Sequence, residues 1–238
     1  MSIVGMNMEG EVALVTGASA GLGKETARLF ARKGAKVVMV ARGKEALDAA
    51  VAEIRAETGN PHVHGLAFDV GDKEAIHRIS GAAAALVGSP SIVIHNASTL
   101  GPVPMPLLLD TDCEDLERVL AVNLVGPFRL TKALAGPMVL AKRGVFVFVS
   151  SDAAVSAYAR WGSYGISKAA ADHLARTLAA EVEGVRFYAF DPGEMDTKMH
   201  ADALPDADPK SLARPSDVAA RLLALVESER ASGERVAA

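Results

Sequence analysis

The stretch Glu11-Val-Ala-Leu-Val-Thr-Gly-Ala-Ser-Ala-Gly-Leu-Gly23 joins a short apolar run to a turn with glycines at 17, 21 and 23. The run ends at Thr16 and has the continuous apolar character of a strand buried on both faces. Gly21 to Lys33 then has the pattern of a helix, stopped by Gly34. Glycines let the backbone turn tightly and come close to a ligand. The helix N-terminus behind them offers free N–H groups and a positive dipole end to a phosphate. Gly17, Ser19, Ala20, Gly21, Leu22 and Gly23 are therefore candidate cofactor-binding positions. The spacing is Gly-x-x-x-Gly-x-Gly, which differs from the Gly-x-Gly-x-x-Gly dinucleotide fingerprint. A plain tight turn is the alternative; the strand–turn–helix context favours the ligand site.

Strand and helix patterns alternate onward from this unit. Lys36–Ala41 is a second strand, and Lys44–Glu57 a helix with Leu47, Val51 and Ile54 at helical spacing. Val63–Phe68 and Ser91–His95 are strands three and four, with a helix over Lys73–Leu86 between them. A Pro-rich loop at Gly101–Pro106 precedes a long helix, Asp115–Lys142, in which Pro127 predicts a kink. Gly144–Val149, a helix from Gly162 or Ser163 to Glu181, and Gly184–Phe190 follow. Glu194–Arg214, rich in Asp and Pro, is expected to be an irregular segment covering the substrate. Ser216 is expected to cap a last helix reaching about Glu227, and Gly233–Val236 forms a short seventh strand. The pattern implies an α/β fold: a Rossmann-like, doubly wound parallel sheet of six to seven strands with helices on both faces. One domain over residues 11–238, after an extension at 1–10, is the simplest organisation. In such sheets ligands bind beyond the carboxyl ends of the strands.

The composition narrows the function. The 238 residues are 50% apolar and carry a formal charge of −4 with both signs interspersed. No basic stripe suggests a nucleic acid partner. A single cysteine, Cys113, allows no internal disulfide. No apolar stretch approaches a membrane span, and residues 1–10 lack the features of a signal peptide. A cytoplasmic protein without a membrane or nucleic acid partner is expected. His95, His173 and His200 are not at ligand spacing, so no metal site is expected.

A second stretch carries the chemistry. Tyr164 and Lys168 are four apart at the start of an Ala-rich helical run, so both project from one face. Ser151 lies just after the strand ending at Val149. A hydroxyl, a phenol and an ammonium can thus meet at one spot, a set able to polarise a carbonyl and exchange a proton with it. Ala41 and Arg42 follow the second strand, where NAD-selective folds usually place a carboxylate. A guanidinium there can pair with a 2′-phosphate, which favours NADP(H) and leaves NAD(H) possible.

With both stretches in view, the chain resembles classical members of the short-chain dehydrogenase/reductase family from about Glu11 to Val236. Thr16–Gly23 matches the family's Thr-Gly-x-x-x-Gly-x-Gly. The resemblance implies that Asp69 and Val70 contact the adenine and that Asn96 and Ala97 belong to the Asn-Asn-Ala-Gly motif. It places Pro192, Gly193 and Thr197 at the nicotinamide end of the cofactor. It implies a catalytic tetrad of Asn123, Ser151, Tyr164 and Lys168. In that scheme Tyr164 is the general acid/base, its pKa lowered by the Lys168 ammonium. Ser151 holds the substrate oxygen, Lys168 also binds the ribose, and Asn123 positions a water leading to solvent.

Two departures from the family pattern stand out: His95 and Ser98 replace its first Asn and its Gly, and Gly233–Ala238 lacks the Asp-Gly-Gly of many tetrameric members. A weaker likeness points to the sepiapterin and benzil reductases. The implied function is an NADPH-preferring oxidoreductase interconverting a small-molecule carbonyl and a secondary alcohol. The substrate is a diketone or pterin side-chain ketone, or a 3-oxoacyl group. A homodimer or homotetramer through the 115–142 and 163–181 helices is implied as well. The rivals are a non-catalytic dinucleotide sensor or scaffold on the same fold and a sugar-nucleotide epimerase. The complete tetrad argues against the first, and the short C-terminal segment against the second.

Overall fold

A computed structural model describes residues 7–238. Its seven strands are β1 (Val12–Thr16), β2 (Lys36–Ala41), β3 (Val63–Ala67), β4 (Ile92–His95), β5 (Val145–Val149), β6 (Arg186–Asp191) and β7 (Arg235–Ala237). They form one parallel sheet in the order β3-β2-β1-β4-β5-β6-β7. The chain leaves β1 first to one side and later to the other, so the gap between the ends of β1 and β4 is the switch point where such sheets bind ligands.

The pleat divides the core in two. Ala13 and Val15 of β1 face one way, with Leu22 and Phe30 of α1 (Gly21–Arg32), Leu47 and Ile54 of α2 (Lys44–Thr58), and Val218 and Leu222 of α8 (Pro215–Glu227). Val12 and Leu14 face the other way, with Ile79 of α3 (Ala75–Val87), Leu130 and Leu134 of α5 (Gly126–Ala141), and Ala175 of α6 (Gly162–Glu181). Both faces are covered, which is why the strands are apolar throughout.

The long helix expected over Asp115–Lys142 is two helices, α4 (Cys113–Leu120) and α5, joined by a wide π-type turn at Ala121–Val125. Pro127 acts on the turn before it. It has no N–H to offer the Asn123 carbonyl four residues back, and its ring crowds that carbonyl. Gly126 is needed there because a Cβ would lie 2.3 Å from the Val70 carbonyl oxygen. A second proline, Pro137, lies inside α5.

Two further expectations are corrected. Ser216 does not cap the last helix. α8 begins at Pro215, with Arg214 at the cap position and no side-chain bond; a proline there has the right φ and needs no donor. The 194–214 segment is not wholly irregular. It holds a short helix, α7 (Lys198–Ala203), whose Thr197 Oγ1 accepts from the His200 N–H at 3.3 Å. The seventh strand forms, with Arg235 level with Ala189 of β6. Of the extension at 1–10, residues 1–6 lie outside the described residues. Met8 is buried, and its N–H reaches the Lys33 carbonyl at 2.9 Å.

His95 occupies the core beneath the site. Its ring lies 4.7 Å from that of Phe148, centroid to centroid, and its Nε2 pairs with Thr131 Oγ1 at 2.9 Å. Burial pushes its pKa down to about 3. The unfolded chain takes up a proton near pH 6.5 that the folded chain refuses, so stability is full above pH 6.5 and falls as the pH drops toward 3. Urea unfolding at pH 7 and pH 5 should show a loss at pH 5 of about 1–2 kcal/mol assignable to this group. In His95→Asn that part of the loss should disappear.

Candidate active site

The glycine-rich turn is built around Asn96. Asn96 Nδ2 donates to the carbonyls of Thr16 (3.0 Å) and Gly17 (3.2 Å). Thr16 Oγ1 accepts from the N–H groups of Asn96 and Ala97, both at 3.0 Å, and donates to the Ile94 carbonyl at 3.3 Å. The amide occupies the space a side chain would need. A Cβ at Gly17, where φ is 65°, would sit 2.8 Å from Asn96 Nδ2, and one at Gly23 would sit 2.5 Å from it. Behind this turn α1 starts at Gly21 with no side chain capping it. Its first N–H groups therefore remain available to an anion. A cradle that a Cβ would fill and an uncapped helix end suit the phosphates of a dinucleotide.

A cavity of about 510 Å³ opens over the carboxyl ends of the strands. Gly17, Ala20, Gly21 and Leu22 line it from the turn, and Asn96, Ala97 and Ser98 from the end of β4. Ser151, Tyr164 and Lys168 line it from the other side, and Pro192, Gly193 and Thr197 from the end of β6. The structure thus brings together most of the residues singled out in the sequence. Ser19, Gly23, Arg42, Asp69, Val70 and Asn123 stand outside this wall. Arg42 is exposed just past β2. Asp69 accepts the Gly71 N–H at 2.8 Å, and Val70 is buried.

Ser151 is placed by the end of β5. Its Oγ donates to Asp152 Oδ1 (2.9 Å) and accepts from the Ala153 N–H (3.2 Å). Tyr164, on the first turn of α6, is buried with the Trp161 ring edge-on at 5.7 Å. Lys168 is buried one turn on; its Nζ donates to the Val149 carbonyl at 2.7 Å and lies 5.4 Å from the centre of the Tyr164 ring.

The Tyr164 pKa is the reverse of the expected one. Burial pushes it up to about 12; the nearby Ser151 and Ser98 hydroxyls pull it down, and the Asp152 and Asp191 carboxylates push it up. Burial lowers the pKa of Lys168 to about 8, with the Asp172 charge opposing. Ser98 Oγ is buried and has no hydrogen-bond partner of good geometry, although its hydroxyl is near enough to act on Tyr164.

Asn123 lies in the wide turn between α4 and α5. Its side chain does not reach Lys168. Oδ1 accepts from the Thr99 N–H (2.8 Å), while Nδ2 donates to the Thr99 carbonyl (2.9 Å) and to Ser167 Oγ (2.9 Å). Ser167 Oγ in turn donates to the Tyr164 carbonyl at 2.6 Å. Asn123 therefore holds the loop after β4 against α6.

The rest of the wall is mostly apolar: Leu100, Trp161, Met195, Met199 and Leu204. Tyr158 is on it too, its hydroxyl donating to Asp152 Oδ2 at 2.9 Å. Both ring nitrogens of His200, which lines the cavity, are buried without a hydrogen-bond partner. Sequence reasoning missed Ser167, Asp191 and Arg235. The first two resemble ordinary helix and strand residues. Arg235 had a signal, a charge in a short strand that should be covered.

Such a sheet, with an anion cradle at its switch point and a proton-exchanging trio across from it, defines a nucleotide-binding oxidoreductase. Comparison with known proteins makes this specific. The family model described as short chain dehydrogenase matches residues 11–208. The uncharacterized oxidoreductase YciK of Escherichia coli K12 is 34% identical over 93% of this chain and 89% of its own. The 3-oxoacyl-[acyl-carrier-protein] reductase FabG of Thermotoga maritima is 33% identical over 84% of this chain and 80% of its own. A short chain dehydrogenase from Pseudomonas syringae superposes with a TM-score of 0.91 at 30% identity, over 99% of this chain and 97% of the other. One from E. coli CFT073, solved in complex with NADPH, gives 0.90 at 30% identity over 97% of each chain. The chain belongs to the short-chain dehydrogenase/reductase family, whose members are oxidoreductases that bind nicotinamide dinucleotides.

A buried ammonium is a cost the fold carries. Folded Lys168 loses its proton near pH 8 and the unfolded residue near 10.5. The cost is thus complete below pH 8 and fades as the pH rises to 10.5. Lys168→Met should raise stability at pH 7 by about 2 kcal/mol, allowing for the donor the Val149 carbonyl loses. The gain should shrink toward pH 10.5, as denaturant unfolding across that range will show.

Proposed function

We propose that the protein is an NADPH-preferring carbonyl reductase that interconverts a carbonyl and a secondary alcohol. The observation that carries this reading is the shared cavity, with Ser151, Tyr164 and Lys168 on one wall and the glycine cradle on the other. Bound NADPH supplies the hydride. The protein's own groups do the rest. With a pKa near 12, Tyr164 is fully protonated at neutral pH and loaded as the acid. It delivers its proton to the carbonyl oxygen as negative charge gathers there. The phenolate left behind is stabilised by the Ser151 and Ser98 hydroxyls and by the Lys168 ammonium on the cavity wall.

Ser151 orients the substrate oxygen. To do so its hydrogen turns from Asp152 toward the cavity, a rotation that moves no heavy atom. Lys168 also holds the ribose beside the nicotinamide. Gly17, Ser19, Ala20, Gly21, Leu22 and Gly23 receive the pyrophosphate on backbone N–H groups, with Asn96 and Ala97 backing the turn. Asp69 and Val70 take the adenine, and Pro192, Gly193 and Thr197 the carboxamide end. Arg42, exposed beyond β2, pairs with the 2′-phosphate. Asn123 has a positioning role through Thr99 and Ser167.

The apolar wall of Leu100, Trp161, Met195 and Met199 suits a compact ketone. The reading includes one catalytic domain over 11–238 in the cytoplasm. It also includes a homo-oligomer formed through α4–α5 and α6, which expose Phe128, Leu140 and Ile166. No helix among the described residues is long and apolar enough to cross a membrane.

The test is NADPH oxidation, followed by its absorbance, with a panel of ketones, diketones and 3-oxoacyl thioesters. Tyr164→Phe should lower kcat by about 100-fold or more. An unchanged rate would remove Tyr164 from the chemistry. Arg42→Ala should raise KM for NADPH by roughly tenfold and leave that for NADH unmoved, since one charge-assisted contact is lost.

A further inference from the structure

β7 sends one long side chain back beneath the site. Arg235 Nε donates to Asp172 Oδ2 at 3.0 Å. Its Nη2 donates to Asp191 Oδ2 at 2.7 Å and to the Ser151 carbonyl at 2.9 Å. The two carboxylates have side chains only 6% and 10% exposed, so one guanidinium balances two buried negative charges. Each partner belongs to a different element that borders the cavity, although only Ser151 lines it. Ser151 ends β5 and carries the substrate-orienting hydroxyl. Asp191 ends β6, and its other oxygen accepts the Gly193 N–H at 3.0 Å, which shapes the Pro192–Gly193 turn. Asp172 sits one turn after Lys168 on α6.

We infer that Arg235 is a positioning residue for the reaction: it locks the ends of β5 and β6 together beneath Ser151 and draws Asp172 off Lys168. The inference rests on the carbonyl-reductase reading of the site. A planar fork suits this task, because three acceptors on three elements must be met at fixed angles. Among the described residues, the charged groups packed beside Lys168 and Tyr164 are Asp172 on their own helix, Asp152 after β5, Asp191 on β6 and Arg235 on β7, while Glu194, Lys198 and His200 line the cavity beyond β6. Arg235 is the only cation among the packed groups besides Lys168. Without it the charge of Asp172 acts undivided on the Lys168 ammonium, and Lys168 holds its proton to higher pH.

The experiment compares Arg235→Met, Arg235→Lys and Asp172→Asn. Arg235→Met should lower kcat about tenfold and leave both KM values within about threefold. The alkaline limb of kcat and the pH interval over which stability rises should both move up by about half a unit or more. Asp172→Asn should move both down. Arg235→Lys should return the limb toward its place and recover part of kcat, because an ammonium cannot serve all three acceptors. A limb and a stability interval that stay put in Arg235→Met and Asp172→Asn, while melting temperature falls, would reduce Arg235 to an ordinary ion pair and overturn the inference. If Arg235→Met does not fold, an unmoved limb in Asp172→Asn or wild-type kcat in Arg235→Lys overturns it. Wild-type turnover is the control. Its absence with every carbonyl would sink the proposed function and the role of Arg235 with it, whereas turnover with an unmoved limb sinks the latter alone.

Discussion

One side-chain amide fixes the geometry on which the site depends. Asn96 satisfies two carbonyls in the β1–α1 turn, and its backbone, with that of Ala97, is tied to the Thr16 hydroxyl. A buried carbonyl left without a donor costs about 1–3 kcal/mol, so these bonds hold the turn in a single shape. That shape has no room for a β-carbon at 17 or 23. Gly17 is thus required twice, once by its φ of 65° and once by the amide that lies against it, whereas Gly23 is required by the close approach of that amide and of the Gly17 carbonyl. The end of β4 and the start of α1 are fastened to each other as a result, and the free N–H groups of α1 face the cavity.

The other side of the cavity is held by opposing tendencies. Burial raises Tyr164 and lowers Lys168, so both groups favour their neutral forms. Hydroxyls, a backbone carbonyl and the Asp172 charge work against that tendency. The site is strained electrostatically rather than in its backbone, a pattern common where proton transfer has to be reversible. Helix α6 supplies Tyr164, Ser167, Lys168 and Asp172 within three turns, which is why one helix carries so much of the local field.

Most of the architecture was legible because it depends on periodicity. Short apolar runs marked the strands, and the parallel sheet followed from their alternation with helices. The Ser151, Tyr164 and Lys168 trio was legible because its spacing along a strand end and a helix is local. What escaped depends on contacts between distant segments. The interruption at 121–125 arises from Pro127 acting on a carbonyl four residues back, so the sequence placed it in the wrong turn. The cap assigned to Ser216 lost to Pro215, which occupies the first helical position by itself. The raised Tyr164 pKa is a matter of burial depth, which a motif does not report. Arg235 meets partners 44 to 84 residues away, beyond any local pattern.

The wide turn at Ala121–Val125 sets a border in the molecule. Through Asn123 it grips Thr99 by both backbone groups and reaches Ser167 under Tyr164. Before Thr99, Asn96 and Ala97 are bound to the glycine-rich turn, and the Ser98 hydroxyl acts on Tyr164. The segment after it, from Leu100 to the helix start at Cys113, is held by other contacts: Leu100 and Met105 pack in one cluster with Tyr164, and Arg160 Nη1 donates to the Met105 carbonyl at 3.2 Å. Changes in this segment would therefore alter which molecules are admitted and also, through Leu100 and Met105, the burial that holds the Tyr164 pKa up.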